Sequence, residues 1–180
     1  PFAGMLVALL LALFGLKYRV NQVVVGVVLN VLVSGLTGFF FSTFLADSPT
    51  LNRAVRLPTL AVPLLSHVPV VGPVLFKQTI LVYALYVVVA VLSFMLFRSR
   101  WGLRMRAVGE HPKAADTVGI KVMRTRVNNL VLGGALAGLG GAFFTVGSGL
   151  RFTEDMSGGN GYIALAAMIL GAWNPLGTLF

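Results

Sequence analysis

The sequence contains no cysteine. That removes disulfides, thiol nucleophiles and thiolate metal sites. Charge is nearly as scarce: Asp, Glu, Lys and Arg make up 11% of the 180 residues, against about 25% in a water-soluble domain. Five residues are acidic and two are histidine, His67 and His111. No ionisable residue falls well inside a long apolar run. The acid–base pair of a hydrolase is therefore missing, as is the buried Asp or Glu that ion-coupled carriers often use. The patterns H-E-x-x-H, G-x-S-x-G and GxxxxGK[ST] do not occur. The sequence thus predicts no catalytic residue, no metal site and no cofactor, and any ATP that is used must be held by another chain or domain.

What is present is hydrophobic side chain, 57% of the total. A surface this poor in charge implies the bilayer as solvent. A spanning helix needs about 20 apolar residues at ~1.5 Å rise each to cross ~30 Å of hydrocarbon. Five stretches qualify as candidates: Ala3 to Leu16, closed by Lys17, Tyr18 and Arg19; Val20 to Ala46; Gln78 to Phe97; Val127 to Leu150; and one from near Gly161 through Trp173. The chain starts at Pro1 and stops at Phe180, both within apolar stretches. The expectation is an all-α fold: a polytopic transmembrane helical bundle of about five spans, partial at both ends, with residues 1–180 in a single domain.

The net charge is +9, and eight of the 14 basic residues lie between Arg98 and Arg126, beside two acidic ones. Basic residues confined to one loop between apolar runs follow the positive-inside rule, so loop 98–126 is expected in the cytoplasm. That confinement also argues against a nucleic-acid partner, which needs a basic patch across a folded surface. Lys17 and Arg19 fall on the same side, two crossings earlier. Residues 47–77 and 151–160 then face outward and carry Asp47, Glu154 and Asp155, three of the five acidic residues. Five of the eight prolines (Pro49, Pro58, Pro63, Pro69 and Pro73) sit in the first of these outer loops. They exclude a regular spanning helix there. Its apolar character predicts a structured cap or a re-entering segment packed on protein, because irregular backbone cannot face lipid.

Two spans carry distinctive faces. In "NQVVVGVVLNVLVSGLTGFFFS", Gly26, Asn30, Ser34, Thr37 and Phe41 share an arc of roughly 80° at ~100° per residue. Such a stripe must turn toward protein or toward a water-filled path. Asn30, Ser34 and Thr37 could line a transport path, with Phe41 for stacking; helix-joining hydrogen bonds, the commoner use, are the other reading. In "NNLVLGGALAGLGGAFFTVGSG", Gly134, Gly138 and Gly141 repeat at i, i+4, i+7, spacing that lets helix backbones approach closely. In the basic insert "WGLRMRAVGEHPKAADTVGI", Pro112 suits the first turn of a helix and Gly119 the position that ends one. The two turns between them are too short to stand alone. They must dock, either at the lipid headgroups or in a partner's groove, which Ala114 and Ala115 could enter with a slim face.

The same insert resembles the pattern "LRAVGENPxAAxxxGI" of membrane permeases of ATP-binding-cassette importers, in the branched-chain amino acid, ribose and nucleoside branch. The wider superfamily shows E-A-A-x-x-x-G in the cytoplasmic loop that contacts the ATPase, which Lys113, Ala114, Ala115 and Gly119 match. Lys113 stands in place of the Glu, and His111 in place of the Asn before the proline. "RVNQVVVGVVLNVLVSGLTGFF", "VPVVGPVLFKQTILVY" and "GGNGYIALAAMILGAWNPLG" resemble further segments of the nucleoside and simple-sugar permeases.

The resemblance implies a permease of the bacterial cytoplasmic (inner) membrane, and not an enzyme. It implies a second permease subunit, a cytoplasmic ATPase subunit and an external solute-binding protein as partners, besides membrane lipid. It further implies ATPase coupling through Gly109, Glu110, His111, Pro112, Lys113, Ala114, Ala115, Asp116 and Gly119. Two rival readings remain at this level: a carrier or channel without an ATPase, and a membrane scaffold that transports nothing.

Overall fold

A computed structural model describes residues 1–46, 59–61, 77–149, 151–153 and 155–179. Helix α1 spans Phe2–Ala12 and widens into a π turn over Leu13–Lys17. Helix α2 spans Gln22–Phe40, with a π turn over Phe41–Leu45. Its start is fixed by Asn21, whose Oδ1 accepts a hydrogen bond from the Val23 amide at 2.9 Å, satisfying one of the donors that every helix start leaves open. Two short strands follow, β1 at Thr59–Ala61 and β2 at Lys77–Thr79, paired antiparallel with Leu60 opposite Gln78. Helix α3 is Ile80–Arg98, α4 is Arg100–Glu110 and α5 is Pro112–Thr117. Helix α6 is Val122–Phe143, extended by a π turn over Phe144–Gly149, and α7 and α8 are Asn160–Leu170 and Pro175–Leu179.

The helical class agrees with the sequence, and three helices are long and apolar enough to cross a membrane: Gln22–Leu45, Ile80–Arg98 and Val122–Gly147. Phe2–Lys17 and Asn160–Leu170 are shorter apolar helices. The span expected from near Gly161 through Trp173 is therefore corrected: it is a broken helix. Helix α7 rises only about 16 Å at ~1.5 Å per residue. The chain turns at Gly171, and Ala172 and Trp173 adopt left-handed φ values of 52° and 60°. Asn174 then caps α8 by accepting from the Leu176 amide at 3.1 Å, and Pro175 occupies the first helical position, where its missing N–H costs nothing. The turn is tight. A Cβ on Gly171 would lie 2.5 Å from the Thr178 nitrogen, and one on Gly177 would lie 2.6 Å from the Gly171 oxygen.

Loop 98–126 is likewise more ordered than expected. Trp101, Met105 and Val108 recur at i, i+4, i+7 and turn inward on α4, with Val108 only 3% exposed. Arg100, Arg104, Arg106 and Glu110 take the solvent side. Between α3 and α4 the chain bends at Ser99, whose Oγ bonds to the Met95 carbonyl and accepts from the Gly102 amide at 3.1 Å. Gly102 is obligatory at this elbow, because a Cβ there would collide with the Leu96 and Met95 carbonyls. The Arg106 guanidinium lies 5.6 Å from the Phe97 ring centroid and ties α4 back to α3. Helix α6 begins at Val122, earlier than the expected Val127. The Pro-rich stretch lies largely outside the described residues, as do Asp47, His67 and Glu154; only the β1–β2 pair defines its base.

The most extensive helix pair is α1 with α6. It rests on small residues. A Cβ on Gly4 would strike the Gly134 carbonyl, one on Gly134 would strike Ala8, and one on Gly138 would lie 3.0 Å from the Pro1 Cα. Gly141 meets nothing within 4 Å among the described residues. Overpacking such a contact costs about 1–3 kcal/mol or more. Gly134→Val is therefore expected to lower the thermal midpoint of the purified full-length chain by several degrees, while Gly141→Ala leaves it within about one degree. The opposite ranking would show that the α1–α6 seam is not what holds these helices.

Candidate functional site: a polar groove and a basic helical end

The polar stripe of α2 enters three environments. Gly26 and Asn30 line a groove of about 610 Å³ between α1, α2 and α6, whose opposite wall carries Asn129, Gly133 and Gly134. Ser34 and Thr37 lie beyond it and are exposed. The Thr37 hydroxyl hydrogen is engaged by its own helix, donating to the Val33 carbonyl at 2.6 Å and the Ser34 carbonyl at 2.9 Å. Its lone pairs are left as acceptors. Phe41 is half-buried at the far end, with its ring centroid 6.0 Å from that of Phe152. That contact joins the end of α2 to the 151–153 segment. Among the described residues Asn30 faces a groove, Phe41 faces an aromatic neighbour, and Ser34 and Thr37 are exposed.

Asn129 was not singled out by sequence reasoning. Its Oδ1 is buried and has no hydrogen-bond partner among the described residues. The available signal was a second amide in "RVNNL", two turns into an apolar helix, where an unmade hydrogen bond costs about 1–3 kcal/mol. Asn129 and Leu130 also border a second hollow of about 450 Å³, lined by Leu16, Gln22, Met105, Gly109 and Arg126. This hollow brings the α1–α2 turn, α4 and the start of α6 together at one end of the bundle. Lys17, Arg19 and the basic 98–126 segment therefore share an end.

At that end α5 stands out from α4 across His111, which has φ −135° and ψ 78°. Pro112 occupies its first position, and its close follows a Schellman pattern. Gly119 has φ +84°, the Gly119 amide donates to the Asp116 carbonyl at 2.9 Å, and the Ile120 amide donates to the Ala115 carbonyl at 3.0 Å. The two alanines part company. Ala115 is 5% exposed and packs inward, so the expected two-alanine face is corrected to Ala114 alone. Gly109, Glu110, His111, Lys113, Ala114, Asp116 and Gly119 are exposed, Pro112 is half-buried, and the apolar Val118 and Leu103 are open to solvent on the same end. A further hollow of about 460 Å³ beside α5 is lined by Lys113, Asp116, Lys121 and Arg124 among others.

Apolar spanning helices, a broken helix and a helical basic end define a multi-pass membrane protein. Residues 2–180 match the model of the family described as branched-chain amino acid transport system / permease component, and the chain belongs to that family.

Several relatives are similar along nearly the whole chain. The nucleoside ABC transporter permease protein NupC of Lactococcus lactis subsp. cremoris (strain MG1363) is 40% identical over 177 residues, covering 98% of this chain and 56% of that protein. The guanosine ABC transporter permease protein NupQ of Bacillus subtilis (strain 168) is 36% identical over 178 residues, covering 98% and 56%. A protein of Haloferax volcanii, provisionally named a glucose ABC transporter permease protein, TsgC13, is 36% identical over 172 residues, covering 96% and 52%. The chain spans about half the length of these curated relatives. No solved structure matches.

The α5 cap yields a direct test. Gly119→Ala places a Cβ in the left-handed region, at a cost of roughly 1–2 kcal/mol. Amide hydrogen exchange across 112–118 is expected to speed up about 5- to 30-fold in the full-length chain. Unchanged exchange would mean that the Schellman close does not hold the helix.

Proposed function

We propose that this chain is part of the membrane permease of an ATP-driven importer for nucleosides or related simple sugars. The observation that carries this reading is the pairing of a nucleoside-permease relationship at 40% identity with a short, capped, exposed helix at the basic end. In this reading the basic end faces the cytoplasm, by the positive-inside rule, in a bacterial cytoplasmic membrane. Helix α5 docks on a separate ATPase subunit, a second permease completes the path, and an external binding protein delivers solute at the end marked by Phe41 and Phe152.

ATP-driven closure of the ATPases displaces α5. Because Val108 and Ala115 are packed into the bundle, that displacement reaches α4 and then α6 and α3. Asn30 and Ser34 offer hydrogen bonds to hydroxyl or base edges along the path, and Thr37 offers an acceptor. A carrier that needs no ATPase is less consistent with the absence of any Asp, Glu, Lys or Arg deep in the described spans.

In the assembled transporter, Ala114→Trp changes an exposed face without touching the core. It is expected to lower the co-purified ATPase at least several-fold, and deletion of 112–119 is expected to abolish it. An ATPase retained at wild-type level by the deletion sinks the coupling role. Asn30→Ala and Ser34→Ala are each expected to reduce nucleoside uptake about 2- to 10-fold, the loss of one hydrogen bond. Normal affinity and rate in both would remove them from the path.

A further inference from the structure

We propose that Asn129 is a solute-contacting residue at the inner mouth of the translocation path, opposite Asn30, and that it binds the hydroxyl or ring N–H groups of the passing solute. The inference rests on the importer reading and extends it to a residue outside the α2 stripe.

Three observations converge on Asn129. First, it is where two hollows meet. The groove that holds Asn30 and the basic-end hollow that holds Gln22, Gly109 and Arg126 share Asn129 and Leu130 as their common wall. Asn129 and Leu130 thus stand between the two hollows. At ~1.5 Å per residue, Asn129 lies about 10 Å into α6 and Asn30 about 12 Å into α2, so the two amides sit at similar depth from the same end.

Second, the Asn129 Oδ1 is buried without a partner among the described residues. Buried polar groups find hydrogen bonds almost without exception, and a turn of the Asn129 amide about χ2 brings this acceptor to the groove that the residue lines, where a donor can arrive with something else. A hydroxylated solute brings such donors.

Third, the groove has been left roomy around it. Gly26 and Gly133 both line it, and a Cβ on either would meet nothing within 4 Å. These glycines are not used for close helix contact among the described residues, unlike Gly134 one position along. Their effect is to widen the space between two facing amides within mostly apolar walls, the usual build of a small-molecule site.

Chemistry then assigns the roles. Asn30 and Asn129 each present both a donor and an acceptor. A sugar hydroxyl or a nucleobase edge can satisfy both at once, whereas a lipid tail can satisfy neither. Leu130 beside Asn129 supplies the apolar contact for a ring face.

The test uses the complete transporter, with full-length permease, partner permease, ATPase and binding protein, in inside-out vesicles. Asn129→Cys is treated with a membrane-impermeant methanethiosulfonate reagent and compared with the parent protein. The expected result is modification, slowed about tenfold by millimolar adenosine. A cysteine that resists the reagent, or one modified equally fast with and without adenosine, overturns the inference.

Turnover gives a second readout that a merely structural asparagine would not produce. Asn129→Ser keeps an acceptor and is expected to retain turnover within about threefold, whereas Asn129→Leu loses about tenfold with ATPase assembly unchanged. Equal losses in both variants, or a loss matched by reduced assembly, mark a packing residue instead. Import of adenosine by the parent complex separates the two levels. A complex that imports it but leaves the cysteine unprotected sinks only the role of Asn129. A complex that imports no nucleoside or simple sugar sinks the reading beneath it.

Discussion

The contact on which this fold depends is the approach of two backbones where Gly4 and Gly134 leave no room for a side chain. Lipid tails are as apolar as leucine, so no hydrophobic force separates helix–helix from helix–lipid contact in a bilayer. Close packing of small residues supplies the difference. Pulled together at Gly4, Ala8, Gly134 and Gly138, α1 and α6 form two walls of a trough, and α2 adds the third. The groove with Asn30 and Asn129 is a by-product of where this seam is tight. One step around the same helix, Gly133 opens it again. A single glycine-rich helix thus provides both a zipper and a hollow, on adjacent faces.

Polar groups follow the same division. Asn21 and Asn174 cap helices, and Ser99 caps α4 while bonding back onto α3. Thr37, Thr117, Thr125 and Thr178 donate to carbonyls of their own or adjoining turns. These side chains are absorbed by local backbone. Asn30 and Asn129 sit in mid-helix beside a cavity, and Asn129 still has a buried acceptor to satisfy.

Much of this was legible in the sequence, for identifiable reasons. The apolar runs are long and free of interior charge, so the helical class follows from bilayer thickness alone. Pro112 and Gly119 bracket α5 because one residue lacks a donor that is not needed and the other tolerates φ +84°. Other features were hidden. Helix α4 looked like loop because its charges mask an i, i+4, i+7 apolar face. The break after Leu170 lay inside an unbroken apolar run, where Gly171, Asn174 and Pro175 signal it only together. Asn30 and Phe41 share an arc on a helical wheel yet have different neighbours, because a wheel records direction and not what stands there. Asn129 escaped for a similar reason: an amide's importance lies in the missing partner, and a sequence does not show partners.

The Ser99 elbow has a mechanical consequence. Helices α3 and α4 are joined without a linker, through a hydroxyl shared by both and a glycine pressed against carbonyls of the preceding turn. The Phe97–Arg106 contact braces the inside of the bend. Such a joint has little slack, so in the proposed permease a sideways load on α4 would pass to α3 as a tilt. In the proposed permease the two helices would work as a bell crank: a short arm in water, a long arm in lipid, and a pivot at the boundary between them.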